Sequence, residues 1–224
     1  MKLAKPQLDI GVMTERLDEM LAFWQGRSGL TFEGVLPTGG GNHQHRHGAN
    51  GSVFKLNHPR KGLPETPPTG YRAMWLSRPG LTAREELIDP DGNRMVLVPP
   101  GELGIEGVAL SVGVRDTEAQ SRFYRNVLEL EEAGDGRFRC GDSLIFVEHD
   151  PDSNTDASFY GRGIRYFTIQ VFDCRREHAR ILEAGGSEGL APRQLGEVAV
   201  ISMVRDPGGN WIEISQRGSL TGAL

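Results

Sequence analysis

Apolar and polar positions along this chain switch between two periods, and the switches recur in the same order in both halves. Residues 7–13 alternate, with Leu8, Ile10 and Val12 on one face and Asp9 and Gly11 on the other, as in a half-buried strand. Thr14 then caps a helix in which Leu17, Met20, Leu21 and Trp24 recur at helical spacing, stopped by Gly26 and Gly29. Strands follow at residues 30–36, 42–47 and 52–57, the last two joined by an Asn50-Gly51 hairpin turn. Pro59, Pro64, Pro67 and Pro68 mark residues 59–70 as a linker. Further strands are expected within 71–77 and 84–97, with no room for an ordinary helix between them.

The order restarts after Pro99-Pro100-Gly101. A strand over 108–114 leads to a helix capped by Asp116 and carrying Ala119, Phe123 and Val127, then to strands near 137–139 and 144–147. After a polar loop, a strand at 165–172 precedes a helix capped by Asp173, and strands at 198–204 and 211–214 close the pattern. Both halves end on the same turn, Asp89-Pro90-Asp91-Gly92-Asn93 and Asp206-Pro207-Gly208-Gly209-Asn210. Proline presets the turn, while glycine and asparagine accept its left-handed positions. The chain therefore reads as α+β, built from repeated βαβββ modules in two domains, 1–100 and 105–218. Each half is expected to form its own curved sheet, the first lacking a helix between Ser77 and Arg84.

Composition narrows the partners. A net charge of −5 without a basic cluster argues against nucleic acid, because that binding needs a concentrated Lys/Arg surface. No signal peptide or membrane-spanning run is apparent, so a cytoplasmic location is expected. Cys140 and Cys174 are read as reduced thiols. A small molecule is the expected partner, with room left for a homodimer.

The βαβββ repetition, Asp116 ahead of Phe123-Tyr124, and the Asp-Pro-x-Gly-Asn turn ending at Glu213 resemble the vicinal oxygen chelate superfamily. Glyoxalase I, extradiol dioxygenases, fosfomycin-resistance enzymes and bleomycin-binding proteins share that fold. The resemblance implies a concave sheet into which metal ligands project from the first and last strands of each module. At the positions it would assign to ligands stand Ala109, Tyr166, Asp9 and Val96, with the terminal carboxylate kept as Glu213. The usual histidine and glutamate set is absent from both halves. The cofactor is accordingly none, or a divalent metal such as Fe, Zn or Mn at a non-standard site.

Several residues carry candidate chemistry. Glu213 shares a strand face with Trp211 and Ser215, and Tyr166 and Thr168 are expected to line the same C-terminal cup. Burial without a cation would raise the Glu213 pKa toward that of a general base, with Tyr166 donating to a substrate oxygen. The bland alternatives are a carboxylate neutralised by an arginine such as Arg205, and a core tyrosine. Lys55, unusual inside a strand, either neutralises Asp9 or meets an anionic substrate group. His43, His45 and His47 alternate and could bind a metal together. A two-residue turn at Asn50-Gly51 sets them opposite His58, Leu56 and Phe54, away from a concave face carrying Arg46, Lys55, Asn57 and Asp9.

The functional expectation is an enzyme of lyase, isomerase or dioxygenase type acting on a small oxygenated substrate, aromatic or carbonyl-containing. The alternatives are a bleomycin-resistance-type sequestration protein using Trp75, Trp211, Tyr71 and Tyr166, metal-free acid-base catalysis by Glu213 with Tyr166, and a metal enzyme built on the histidine strand.

Overall fold

The computed structural model describes residues 1–222 and 224. The first module comprises β1 (Asp9–Met13), α1 (Leu17–Leu21, continued by a π-type turn through Ala22–Arg27), β2 (Thr31–Gly39), β3 (Asn42–Ala49) and β4 (Ser52–Pro59). The second holds β5 (Tyr71–Ser77), β6 (Glu85–Ile88) and β7 (Arg94–Val98), and residues 78–84 form no helix. The third runs through β8 (Val108–Val114), α2 (Thr117–Arg122, continued by Phe123–Val127), β9 (Glu131–Glu132), β10 (Arg137–Cys140) and β11 (Ser143–His149). The fourth contains β12 (Gly163–Gln170), α3 (Cys174–Glu183), β13 (Ser187–Leu195), β14 (Ala199–Arg205) and β15 (Trp211–Arg217), followed by the short α4 (Gly218–Thr221).

Local signals explain most of these elements. Asp116 and Asp173 cap α2 and α3, accepting from the backbone N–H of Ala119 at 2.8 Å and of Arg176 at 3.0 Å. Thr14 instead accepts from the N–H of Arg16, and α1 starts at Leu17. Asn50 and Gly51 both adopt positive φ, so the β3–β4 hairpin takes the register a two-residue turn imposes, Ala49 opposite Ser52. Strand β13 has no counterpart among the expected elements. It is an exposed edge interrupted by Pro192 and two register shifts, which erase the alternation by which strands are read.

The sheets do not follow the two halves. One is eight-stranded, β13-β14-β15-β12-β1-β4-β3-β2, and combines the fourth and first modules. The other is seven-stranded, β6-β7-β5-β8-β11-β10-β9, and combines the second and third. The joins are antiparallel, β1 to β12 with Asp9 opposite Thr168, and β5 to β8 with Trp75 opposite Ala109. The expectation of one sheet per half is thus corrected. Each module's first strand offers an open edge that must find backbone partners, and side-chain periodicity does not say which neighbouring module supplies them.

The main core lies where the helices cover the sheets. Trp24 stacks on Phe54 with ring centroids 3.9 Å apart, and Tyr71 meets Phe167 edge-on at 5.9 Å, linking the sheets. The repeated turns tie helices to this framework. Asp89 accepts from Trp24 Nε1 at 3.3 Å, and Asp206 accepts from Gln120 Nε2 at 2.7 Å.

Candidate functional site

Residues from both edge strands of the eight-stranded sheet, Leu36 on β2 and Arg193 and Leu195 on β13, line one cavity of about 690 Å³. The sheet must therefore curl into a cup. Alternation on β15 turns Trp211, Glu213, Ser215 and Arg217 inward, and Tyr166 comes from β12 and Lys55 and Asn57 from β4. The loop between β11 and β12 closes one side. Phe159 packs against Tyr166 and Trp211, with both centroids at 5.5 Å, and the Ala157 carbonyl accepts from Trp211 Nε1 at 2.7 Å.

Four side chains meet at the base of the cup. Lys55 Nζ donates to Thr168 Oγ1 at 2.6 Å and to Glu213 Oε1 at 2.9 Å, and stands 3.8 Å from Asp9 Oδ2. Thr168 Oγ1 donates to the same Glu213 oxygen at 3.0 Å. Lys5 Nζ holds the other side of Asp9 at 2.6 Å. Burial opposes ionisation of Asp9, but Lys55 and Lys5 outweigh it and hold the carboxyl below its ordinary range. Glu213 is not a buried carboxylate without a cation, since the Lys55 ammonium stands at contact distance.

Two atoms here retain unused capacity. Glu213 Oε2 makes no hydrogen bond among the described residues, although Glu213 lines the cavity. Tyr166 Oη accepts from Asn57 Nδ2 at 3.2 Å and Gln44 Nε2 at 3.4 Å, leaving its own hydrogen without an acceptor among the described residues. Burial, then the nearby Glu213 carboxylate, push the phenol pKa up, so Tyr166 is a neutral donor. The ring can lie here because residue 11 is glycine. A Cβ on Gly11 would collide with Tyr166.

All seven candidates, Asp9, Lys55, Tyr166, Thr168, Trp211, Glu213 and Ser215, lie on β1, β4, β12 and β15, adjacent strands of this sheet. The cup is not purely C-terminal, since the first module supplies Asp9 and Lys55. Sequence reasoning missed Phe159, Gln44, Arg193 and Arg217. Arg217 merely extends the alternation of 211, 213 and 215 and was legible, whereas Phe159 sits in a loop with no periodicity to expose it.

The histidines go elsewhere. His47, His45 and His43 lie opposite Phe54, Leu56 and His58, on the face turned away from Gln44 and Arg46. His47 is buried against Phe54, with Gln25 Nε2 at 3.1 Å from its Nε2. Alternate positions share a face, but no group of three or more His, Cys, Asp or Glu among the described residues is placed to hold a metal. The reading of this strand as a metal site is therefore corrected.

The corresponding face of the seven-stranded sheet is filled. Trp75, Val96, Ala109, Leu144 and Phe146 form an apolar cluster there, with Trp75 Nε1 donating to Ser111 Oγ at 2.7 Å. Tyr71 is also outside the cup, its hydroxyl donating to the Trp211 carbonyl at 2.8 Å. Trp75 and Tyr71 therefore do not join the ligand wall expected of a sequestration protein.

Residues 107–214 match the family model of the Glyoxalase/Bleomycin resistance protein/Dioxygenase superfamily. The match lies in the C-terminal half, and the fold of the chain is that of tandem vicinal-oxygen-chelate-like βαβββ modules. Glyoxalase I from Zea mays superposes on this chain with a TM-score of 0.73 at 14% identity, covering 94% of this chain and 92% of the maize chain. A putative dioxygenase from Bacillus subtilis gives a TM-score of 0.69 at 12% identity, covering 97% and 85%. No curated protein matches in sequence. Likeness at such identity establishes the fold, and a fold hosts many reactions.

The likeness to that superfamily raises the question of a metal. First and last strands of the two modules forming the cup place Asp9, Lys55, Thr168 and Glu213 at its base. These residues do not fit a divalent cation. The Lys55 ammonium already occupies the space between the two carboxylates, takes the Glu213 oxygen that also faces Thr168, and would repel a second cation. Among the described residues, no helix is long and apolar enough to cross a membrane.

Proposed function

We propose that the cup binds and transforms a small oxygenated molecule by acid-base chemistry without a metal at its base. Glu213 Oε2 serves as proton acceptor for a hydroxyl or for a C–H beside a carbonyl, and Tyr166 donates its hydrogen to the substrate oxygen. The observation that carries this reading is the division of labour at Glu213. One oxygen is fixed by Lys55 and Thr168, while the other has no partner among the described residues. The fixed oxygen orients the carboxylate, and the adjacent Lys55 charge stabilises negative charge developing on a bound oxygen. A proton removed by Glu213 returns to the product at another atom, as in an isomerase, or leaves with a group, as in a lyase. A second reading, ligand storage without turnover, is favoured by the aromatic wall of Trp211, Phe159 and Tyr166.

Exchange of α-hydrogens with deuterium oxide across a panel of aromatic 2-hydroxy and 2-oxo carbonyl compounds, followed by NMR, separates the two readings. Turnover predicts exchange that Glu213→Gln lowers by about 10²–10⁴-fold, with the thermal midpoint nearly kept. Exchange at the wild-type rate in that variant removes Glu213 from the mechanism. Ligand binding with no exchange in either protein favours storage.

A further inference from the structure

The charges around the cup do not balance. Near its base two carboxylates, Asp9 and Glu213, face four cations. Lys5 and Lys55 are engaged by those carboxylates. Arg46 and Arg217 are not, since neither makes an ion pair with a described residue. Arg46 Nη1 donates to Gln44 Oε1 at 3.0 Å, a neutral acceptor on the cavity wall. Arg217 lines the cavity and is half-buried. Burial, and then the charge of Arg46, hold its guanidinium below the ordinary arginine range, against the opposing charges of Glu213 and Asp9. Elsewhere on the wall, Asp156 is taken by Arg205 at 3.0 Å, and Arg193 adds an exposed positive charge without an ion pair among the described residues. Two guanidiniums, partly withdrawn from water and without a direct ion pair among the described residues, carry a cost that an anion would lower. Guanidinium also suits planar or tetrahedral oxyanions, through paired N–H groups.

The wall beside Arg217 is apolar. Ile201 and Met203 line it between Arg217 and Trp211, which stand at opposite ends of β15. We propose that the cup selects a small organic anion, a carboxylate or phosphate ester, held by Arg46 and Arg217 at one end with its apolar body over Ile201 and Met203. This rests on the cup being the small-molecule site and names the class of molecule it takes. The anion lies on the far side of Ser215 from Trp211, which leaves Glu213 and Tyr166 facing the middle of an elongated ligand.

Isothermal titration with three matched probes, 3-phenylpropionate, 2-phenylethyl phosphate and neutral 3-phenylpropionamide, tests the inference. At least one anion is expected to bind tenfold or more tightly than the amide, and the ratio of the two anions says which headgroup the pair prefers. Arg217→Gln and Arg46→Gln should each weaken the preferred anion about tenfold and leave the amide unchanged. Should Arg217→Gln fold poorly by thermal midpoint, Arg217→Lys, which keeps the charge, should hold most of the affinity while Arg46→Gln still loses it. Equal binding of anion and amide by the wild-type protein, or anion affinity untouched by both glutamine variants, overturns the anion site and leaves the cup standing. Binding of none of the probes, the amide included, overturns the cup as well.

Discussion

Lys55 Nζ and Glu213 Oε1, 158 residues apart in sequence, lie 2.9 Å from each other at the base of the cup. Their side chains retain only 4% and 11% of their exposure, so Glu213 relies on Lys55 for its contact cation, while Lys55 also faces Asp9. Lys55→Met strands the buried Glu213 carboxylate, leaves Asp9 with Lys5 alone, and is expected to cost about 3–5 kcal/mol. Glu213→Gln should cost less, because Lys55 keeps Thr168 and Asp9. Lys55→Met combined with Glu213→Leu should recover part of the single-variant loss. Urea denaturation reads all three, and an unchanged midpoint in Lys55→Met would show that the pair contributes nothing.

The same ammonium governs metal affinity. Wild-type protein, purified without an affinity tag, should not retain Fe, Zn or Mn stoichiometrically. Lys55→His replaces the cation by a nitrogen ligand between Asp9 and Glu213, and should create measurable zinc or nickel affinity by titration calorimetry. Stoichiometric metal in the wild-type protein that disappears on Glu213→Gln would contradict this account of the base of the cup.

Tyr166 and Gly11 form a second dependent pair. Gly11→Ala places a methyl group where the phenol ring lies, and should cost about 1–3 kcal/mol through overpacking. The loss should shrink when Tyr166→Ala is also present, which assigns it to the ring. Equal destabilisation by Gly11→Ala in both backgrounds would place the strain elsewhere. Gly189, where a Cβ would stand 2.6 Å from the Trp211 ring, predicts the same behaviour with Trp211.

Asp206 couples stability to pH. Burial pushes its pKa from 3.8 up to about 6, although the Asn210 backbone and side chain and Gln120 donate hydrogen bonds to it. Between about pH 4 and 6 the folded protein therefore holds a proton that the unfolded chain has released. This contribution to stability is present below pH 4, falls as pH rises through 6, and is flat above, with a span of at most about 3 kcal/mol. Asp206→Asn should remove that slope. The decisive quantity is the difference between wild-type and variant urea midpoints from pH 4 to 7, and a difference constant with pH would refute the assignment.

The module order, the missing second-module helix, the Asn50-Gly51 register and the inward face of β15 were all legible, because each rests on local chemistry: a cap, a turn, an alternation. The partition of modules between sheets was not. Val108, Leu110 and Val112 say that β8 is buried, and nothing in them distinguishes β5 from another neighbour. Lys55 shows the same limit. Its oddity inside a strand is visible in the sequence, which leaves both Asp9 and an anionic group open as partners. Glu213, its closer carboxylate, emerges only when β1 pairs with β12 and β12 with β15.

That shared sheet makes the cup depend on contacts between the chain's first and last modules. Its walls bring residues 9–57 together with residues 156–217, so a chain cut between β7 and β8 would leave half a cup on each fragment. Closure spans long separations and cannot precede the meeting of the chain's two ends. A molecule that binds only the finished cup then stabilises the closed chain as a whole by mass action, and it acts as a clasp between the outermost modules.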